Sequence, residues 1–299
     1  MPGGAAVSQP LIVVVGETIL DMDYELQKPP ETSPDGFPVY PVGYYATRKN
    51  VGGAAAVAGM AKAFGADVRL VTQYDPAYVP DPAGITQGLW WRGPVCEKRR
   101  FIHDGKVVFR LDTDVRITRL PLSVLEAIRE ECNGRPVYLI LSDYGKGMFD
   151  RGLWAHSIRA SVKVVESFGD PHRSRSSMRE ASELLGRCTV LAQGTQDPLW
   201  HSGLSDRKLI KRGHNGMMLF DDLGAYEWSP QRFGMDPSTA VDTCGCGDMA
   251  IAALAVARSE GMRWNDALKF AVAAAAEEAL VWGAVPVSRS VVNERLRRG

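Results

Sequence analysis

The sequence predicts an α/β fold in which helices cover both faces of a mostly parallel sheet, with a small β lid added to it. Two observations carry that prediction. Short β-branched runs alternate with longer Ala- and Leu-rich stretches along most of the chain, and two strand-like segments interrupt this rhythm.

The predicted strands are Leu11 to Val15, Val68 to Thr72, Val137 to Leu141, Val162 to Glu166, Thr189 to Ala192 and Lys208 to Lys211. Met217 to Phe220 should run antiparallel, because it follows the tight turn at His214, Asn215 and Gly216. Helices are expected at Ala54 to Phe64, Leu122 to Cys132, Arg151 to Ala160, Ser176 to Leu185, Asp248 to Ser259 and Asn265 to Val281. Residues 23–48 and 95–115 read as β-hairpin insertions that can build a sheet over the open end of the main one. No internal repeat or low-complexity linker divides residues 1–299, so a single domain is expected.

Composition narrows the function classes. With 299 residues, 45% apolar and 23% charged, the chain reads as an ordinary globular protein and not as a disordered or collagen-like one. Its 35 basic and 35 acidic residues cancel, so no global field draws it to nucleic acid or an anionic membrane. Apolar runs such as Met249 to Ala257 are too short to span a bilayer. The five cysteines form an odd set without a CxxC pair, which points to a reduced, cytoplasmic protein.

The most informative stretch is Asp242-Thr243-Cys244-Gly245-Cys246-Gly247-Asp248 ahead of an Ala-rich helix. Closely spaced glycines at a helix start leave backbone N–H groups open to an anion, which the positive end of the helix dipole also favours. A carboxylate beside such a nest repels phosphate, so Asp248 is better suited to accepting a proton from an attacking hydroxyl. A dipole-complementing Asp behind a plain tight turn is the other reading of the same residues.

The Gly-Cys-Gly-Asp run resembles the Gly-Ala-Gly-Asp signature of the PfkB/ribokinase-like sugar kinases. Other blocks match in order: Val14-Val15-Gly16-Glu17 with Leu20-Asp21, Ser33-Pro34-Asp35 with Pro38-Val39, and Gly52-Gly53-Ala54-Ala55. Further along come Arg110-Leu111-Asp112, Leu141-Ser142-Asp143-Tyr144-Gly145-Lys146-Gly147, Asp170-Pro171 and Arg212-Gly213-His214-Asn215-Gly216-Met217. The blocks at 110–112 and 142–147 look most like the kinase half of bifunctional ADP-heptose synthases. The resemblance, which spans roughly residues 11–290, implies a ribokinase-like three-layer α/β/α fold and phosphorylation of a sugar or sugar phosphate by ATP with Mg²⁺.

Roles follow from it residue by residue. Asp248 would be the base, with Gly245, Cys246 and Gly247 forming the anion hole. Asp21, Gly52, Gly53, Asp143 and Lys146 would bind the acceptor, although Lys146 can instead pair with Asp143. Arg212, Gly213, Gly216 and Thr243 would bind the nucleotide. Lys98, Arg99 and Arg100 can reach a distal phosphate or form a solvated edge strand, and strand alternation puts Arg99 opposite its neighbours. Trp90 and Trp91 are expected to be buried beneath the lid. The basic segment from His172 to Arg179 can hold a phosphate or remain a solvated loop.

The sequence departs from the family at Ala56, where an Asn is usual, and at His172, where a Lys is common. The Asn-x-x-Glu block expected after the strand at 189–192 reads Gln193-Gly194-Thr195-Gln196-Asp197, leaving Asp197 as a substitute metal-site acid. A pseudokinase that binds nucleotide or a partner protein, and a nucleoside kinase of the same fold, are the competing functional readings. Open lid strands also invite a homodimer.

Overall fold

A computed structural model describes residues 9–43, 46–75, 89–117, 121–149, 153–172, 185–194 and 205–298. Its first half contains β1 (Leu11–Gly16), β2 (Thr18–Glu25), β3 (Glu31–Thr32), β4 (Pro38–Val39), β5 (Arg48–Gly53), α1 (Ala54–Ala63), β6 (Val68–Tyr74), β7 (Leu89–Arg92), β8 (Cys96–His103) and β9 (Lys106–Thr113). Then come α2 (Leu122–Glu131), β10 (Val137–Asp143), α3 (Leu153–Ser161), β11 (Val164–Pro171), β12 (Cys188–Gly194), β13 (Ser205–Lys211), β14 (Met217–Asp221) and β15 (Gly224–Trp228). The chain closes with α4 (Cys246–Ser259), α5 (Trp264–Glu278) and α6 (Arg289–Arg297).

The main sheet has the order β15-β14-β13-β12-β11-β10-β1-β6-β7. Its strands run parallel from β7 to β13, and β14 and β15 close one side antiparallel, as the turn at Gly216 requires. Strand alternation builds the layers. On β1, Ile12 and Val14 face a core containing α1, α4 and α5, whereas Leu11, Val13 and Val15 face a second core containing Val124 and Ile128 of α2 and Ile158 of α3. Helices therefore cover both faces of the sheet, giving the expected three layers.

A four-stranded sheet, ordered β5-β2-β8-β9, forms the lid. The hairpin expected at 95–115 is β8–β9, with its turn at Asp104 (φ 49°) and Gly105 (φ 71°). The first lid segment differs from the expected 23–48, because β2 begins at Thr18 and its antiparallel partner β5 runs on to Gly53. The cause is that β2 leaves the main sheet one residue after β1 ends, without a turn cluster to mark the boundary. The basic run is also not an edge strand: β8 lies between β2 and β9, and β9 forms the exposed edge.

Other differences have similar causes. β11 lies later than Val162 to Glu166, because its buried half, Ser167 to Asp170, lacks a β-branched run. β7 and α6 leave no clear mark in the sequence pattern, because Leu-Trp-Trp-Arg is short and α6 is strongly polar. Trp91 donates from Nε1 to Gln73 at 3.1 Å, but Trp90 is 42% exposed and not buried beneath the lid. Most of the helix expected at Ser176 to Leu185 lies outside the described residues. Among the described residues, no helix is long and apolar enough to cross a membrane.

Candidate active site

In an open parallel sheet, ligands collect where the strand order reverses, beyond the carboxyl ends of the strands. Here β1 lies between β10 and β6, and the ends of β1 and β10 meet at Gly16 and Ser142. Glu17 follows immediately and is fully buried. Its Oε2 accepts from Tyr144 N at 2.8 Å, and its Oε1 accepts from Lys146 N at 3.1 Å and Met148 N at 3.2 Å. One carboxylate thus organises the 144–148 turn. Burial, aided by the nearby Asp143, raises the Glu17 carboxyl to about 7.

Asp248 sits in the first turn of α4 and is 4% exposed. Gly245 precedes the helix at φ 98°, a left-handed conformation, and a Cβ there would come within 2.6 Å of Glu278 Oε1. Asp242 braces the loop by accepting from Cys244 N at 2.9 Å and from Gly283 N at 3.1 Å. The thiols beside it are not activated. Burial and Glu278, to which Cys246 Sγ donates at 2.8 Å, push the Cys246 pKa far up, and burial raises Cys244 to about 11.

A cavity of about 320 Å³ opens next to this loop, lined by Thr243, Cys246 and Gly247 together with Gly213, Gly216 and Lys211. Met235, Pro237 and the small side chains Ala250, Ala275 and Ala276 complete its apolar lining. Gly213, Gly216 and Thr243, three of the residues expected to bind the nucleotide, thus line this cavity. Arg212 is absent from the lining, and its guanidinium donates to Asn215 O at 3.1 Å and to Glu227 at 2.5 Å. Lys211, the last residue of β13, faces the cavity instead. Its Nζ lies 2.5 Å from Asp170 Oδ1 and 3.3 Å from where a Gly247 Cβ would be.

On the lid side, a Cβ on Gly52 would come within 2.3 Å of Asp21 Oδ2, so the two are brought into direct contact. Gly53, at φ 64°, could not carry a Cβ without striking Glu17 O at 2.2 Å. Asp21 is 7% exposed, and burial lifts its carboxyl to about 6 against the pull of Lys98, Arg100 and Arg110. The charge of Asp248, the candidate base, adds to the rise.

Of the other two residues expected at the acceptor, Asp143 is fully buried, and its Oδ1 accepts from Gly145 N at 2.9 Å, which braces the turn. Lys146 pairs with Asp114 at 2.5 Å and not with Asp143. Asp197 lies outside the described residues, as do Arg173 to Arg179 of the basic segment.

Several groups at the site have no role that the sequence alone assigns. The Tyr144 hydroxyl donates to Asp248, its ring stacks on His172 with centroids 3.6 Å apart, and Lys98 Nζ lies 5.2 Å from the ring centre. Arg100 binds Asp23 at 2.8 Å and Asp242 at 3.1 Å, and Trp282 Nε1 donates to Asp23 at 2.8 Å, tying the lid to the Gly-rich loop. The signal available was alternation on β8, which points Lys98 and Arg100 the same way and Arg99, paired with Glu97, the other.

Three residues are grouped so that they could hold a divalent cation. Asp170, His172 and Asp248 each bring a ligand atom to within 4.8 Å of the others. Asp170 is fully buried, and its Oδ2 has no hydrogen-bond partner. Two carboxylates and an imidazole are donors that fit such an ion.

Known proteins resemble this chain in sequence and in fold. Residues 156–287 match the profile of the pfkB family carbohydrate kinases. The chain is 28% identical over 290 residues to a D-beta-D-heptose 7-phosphate kinase of Bordetella bronchiseptica, covering 89% of each. It is 30% identical over 212 residues to the bifunctional protein HldE of Gluconacetobacter diazotrophicus, covering 64% of this chain and 43% of that one. The fold resembles that of the Arabidopsis thaliana ribokinase solved with ribose and ATP, with a TM-score of 0.69, 18% identity and coverage of 97% and 99%.

Proposed function

We propose that this chain, a sugar kinase carrying a pfkB family carbohydrate kinase domain over residues 156–287, transfers the terminal phosphoryl group of ATP to a hydroxyl of a sugar phosphate. One observation carries the reading: Asp248 stands in the first turn of α4, directly after the loop whose Thr243, Cys246 and Gly247 line the cavity, and its charge acts on the buried Asp21. Asp248 would accept the proton of the acceptor hydroxyl as it attacks. The amides of Gly245, Cys246 and Gly247, at the positive end of the helix, would take up charge on the transferring group. Asp21, held against Gly52, would accept from acceptor hydroxyls.

The apolar slot at Met235 and Pro237 suits adenine, and Lys211, Gly213, Gly216 and Thr243 surround the position of the phosphates. Mg²⁺, when bound, offsets charge on the ATP phosphates, and Asp170, His172 and Asp248 are the residues that would hold it. The lid would exclude water, which otherwise competes as acceptor.

A phosphorylated acceptor is favoured by the cations of the lid. Lys98, Arg100 and Arg110 all act on Asp21; Arg100 is paired with Asp23 and Asp242 and Arg110 with Asp112, which leaves the Lys98 ammonium, over the Tyr144 ring, to meet a phosphate on the acceptor. A heptose 7-phosphate, the substrate named for the Bordetella relative, fits that pattern. We also read the chain as a single domain. A cytoplasmic setting supplies ATP and keeps its five free cysteines reduced. The exposed edge strand β9, carrying Val107, Val108, Phe109 and Leu111, suits pairing with a second copy, which light scattering on the eluted protein tests directly.

The deciding experiment measures ADP release from Mg-ATP across hexoses, heptoses, their phosphates and nucleosides, with Asp248→Asn in parallel. Turnover on a sugar phosphate, lost in the variant, is expected. Turnover on nucleosides alone, or ATP binding without turnover on any acceptor, would overturn the reading.

A further inference from the structure

We propose that Glu17 is a positioning residue for the reaction, fixing the main chain of Tyr144 so that the phenol holds Asp248 in place. The proposal adds a residue to the kinase site, and it rests on that reading where it takes Asp248 as the base. Glu17 alone separates Gly16, the last residue of β1 in the main sheet, from Thr18, the first residue of β2 in the lid. Its backbone and its side chain are both engaged there.

The backbone fixes the root of the lid. Glu17 O accepts from Ala54 N at 2.9 Å and lies 2.2 Å from where a Gly53 Cβ would stand, so the end of β5 and the start of α1 close on one carbonyl. Thr18 N donates to Thr72 Oγ1 of β6 at 3.1 Å. With the chain pinned on both sides of it, the fully buried carboxylate is delivered to one place.

The side chain fixes the turn. Its oxygens accept from the amides of Tyr144, Lys146 and Met148 at 2.8, 3.1 and 3.2 Å, and bonds to a charged acceptor are the stronger kind. From the main chain held in this way, the Tyr144 ring stacks on His172 with centroids 3.6 Å apart, and its hydroxyl lies 2.9 and 2.8 Å from the two oxygens of Asp248. A relay of two hydrogen bonds therefore runs from the root of the lid to the base. Displacing a reacting group by about 1 Å can cost roughly 100-fold in rate, so a supporting residue of this kind acts on turnover. Glutamine would keep the size of Glu17 but present an NH₂ group where a backbone N–H needs an acceptor.

The test is a double-mutant cycle of Glu17→Gln and Tyr144→Phe read by steady-state kinetics. Glu17→Gln should lower kcat by about tenfold or more with the KM values for ATP and acceptor within about twofold, and the double variant should be no slower than the slower single one. Losses that multiply, or a loss carried by KM alone, would overturn the proposal. Hydrogen exchange at the amides of Tyr144, Lys146 and Met148 gives a second readout that needs neither ATP nor acceptor. Exchange about tenfold faster in Glu17→Gln, with β1 and α4 protected as before, is expected. Unchanged exchange in the folded variant would overturn the proposal whatever the turnover. If Glu17→Gln does not fold, Glu17→Asp, which draws the carboxylate back by one methylene, is carried through both measurements with the same criteria. Silence of the unmutated protein in the ADP-release panel, alongside faster exchange in the variant, would sink the kinase reading and leave the Glu17 tether standing.

Discussion

The hydroxyl of Tyr144 lies 2.9 and 2.8 Å from the two carboxylate oxygens of Asp248. Burial, together with the charge of Asp248 and the bond to it, drives the Tyr144 pKa well above its ordinary value, so the phenol stays a donor. It fixes the carboxylate from the side of the 144–148 turn. In Tyr144→Phe the loss of one hydrogen bond to a charged group, about 1.5–3 kcal/mol, is expected to lower kcat by roughly 10–100-fold. Steady-state kinetics should show an unchanged KM for ATP; an equal rise in the ATP KM would assign Tyr144 to nucleotide binding instead.

Gly52 is the second point of leverage. An added Cβ would strike Asp21 Oδ2 at 2.3 Å, the movable end of a side chain, so Gly52→Ala should fold and displace the carboxylate. Its acceptor KM is expected to rise by about tenfold or more, the equivalent of one charged hydrogen bond. Calorimetric binding of ATP should not change.

Arg100 closes a clasp whose acidic partner Asp23 is only 2% exposed. Removing the guanidinium in Arg100→Met leaves that carboxylate buried with Trp282 as its remaining donor, and should cost about 3–5 kcal/mol. Arg99→Met removes a half-exposed pair with Glu97 and should cost about 1 kcal/mol or less. Urea denaturation of both variants provides the comparison; equal losses would mean that the lid is not tied through Arg100.

Glu278 gives the protein a pH dependence. Burial first, then Asp248 and Asp242, raise its carboxyl from 4.5 to about 8. The folded protein therefore holds this proton more tightly than the unfolded chain does. The resulting stability is complete below about pH 4.5 and is lost as pH rises through about 8, a change on the order of a few kcal/mol. Melting temperature should fall between pH 6 and 9, with a shallower slope in Glu278→Gln. Parallel slopes would place the sensitive group elsewhere.

The sequence by itself determined the layering and the frame of the site. Alternation on β1 divides Ile12 and Val14 from Leu11, Val13 and Val15, and the glycines at 52, 53 and 245 mark places where backbone or a carboxylate must approach closely. Such signals are local: they depend on period and on the absence of a Cβ, which a chain displays without being folded.

Only the tertiary structure decided which polar groups meet. Tyr144 and Asp248 are 104 residues apart and Arg100 and Asp242 are 142 apart, so no local pattern links them. Lys211 and Arg212 are adjacent and alike in charge, yet Lys211, at the end of β13, lines the cavity and Arg212, in the turn that follows, pairs with Glu227. Asp143 ends β10 and Asp21 lies within β2; both are buried, and the first holds Gly145 N whereas the second packs against Gly52. The physical reason is the same in each case. Local propensity sets how a segment folds, but the partner of a charged side chain is chosen by packing between segments distant in the chain.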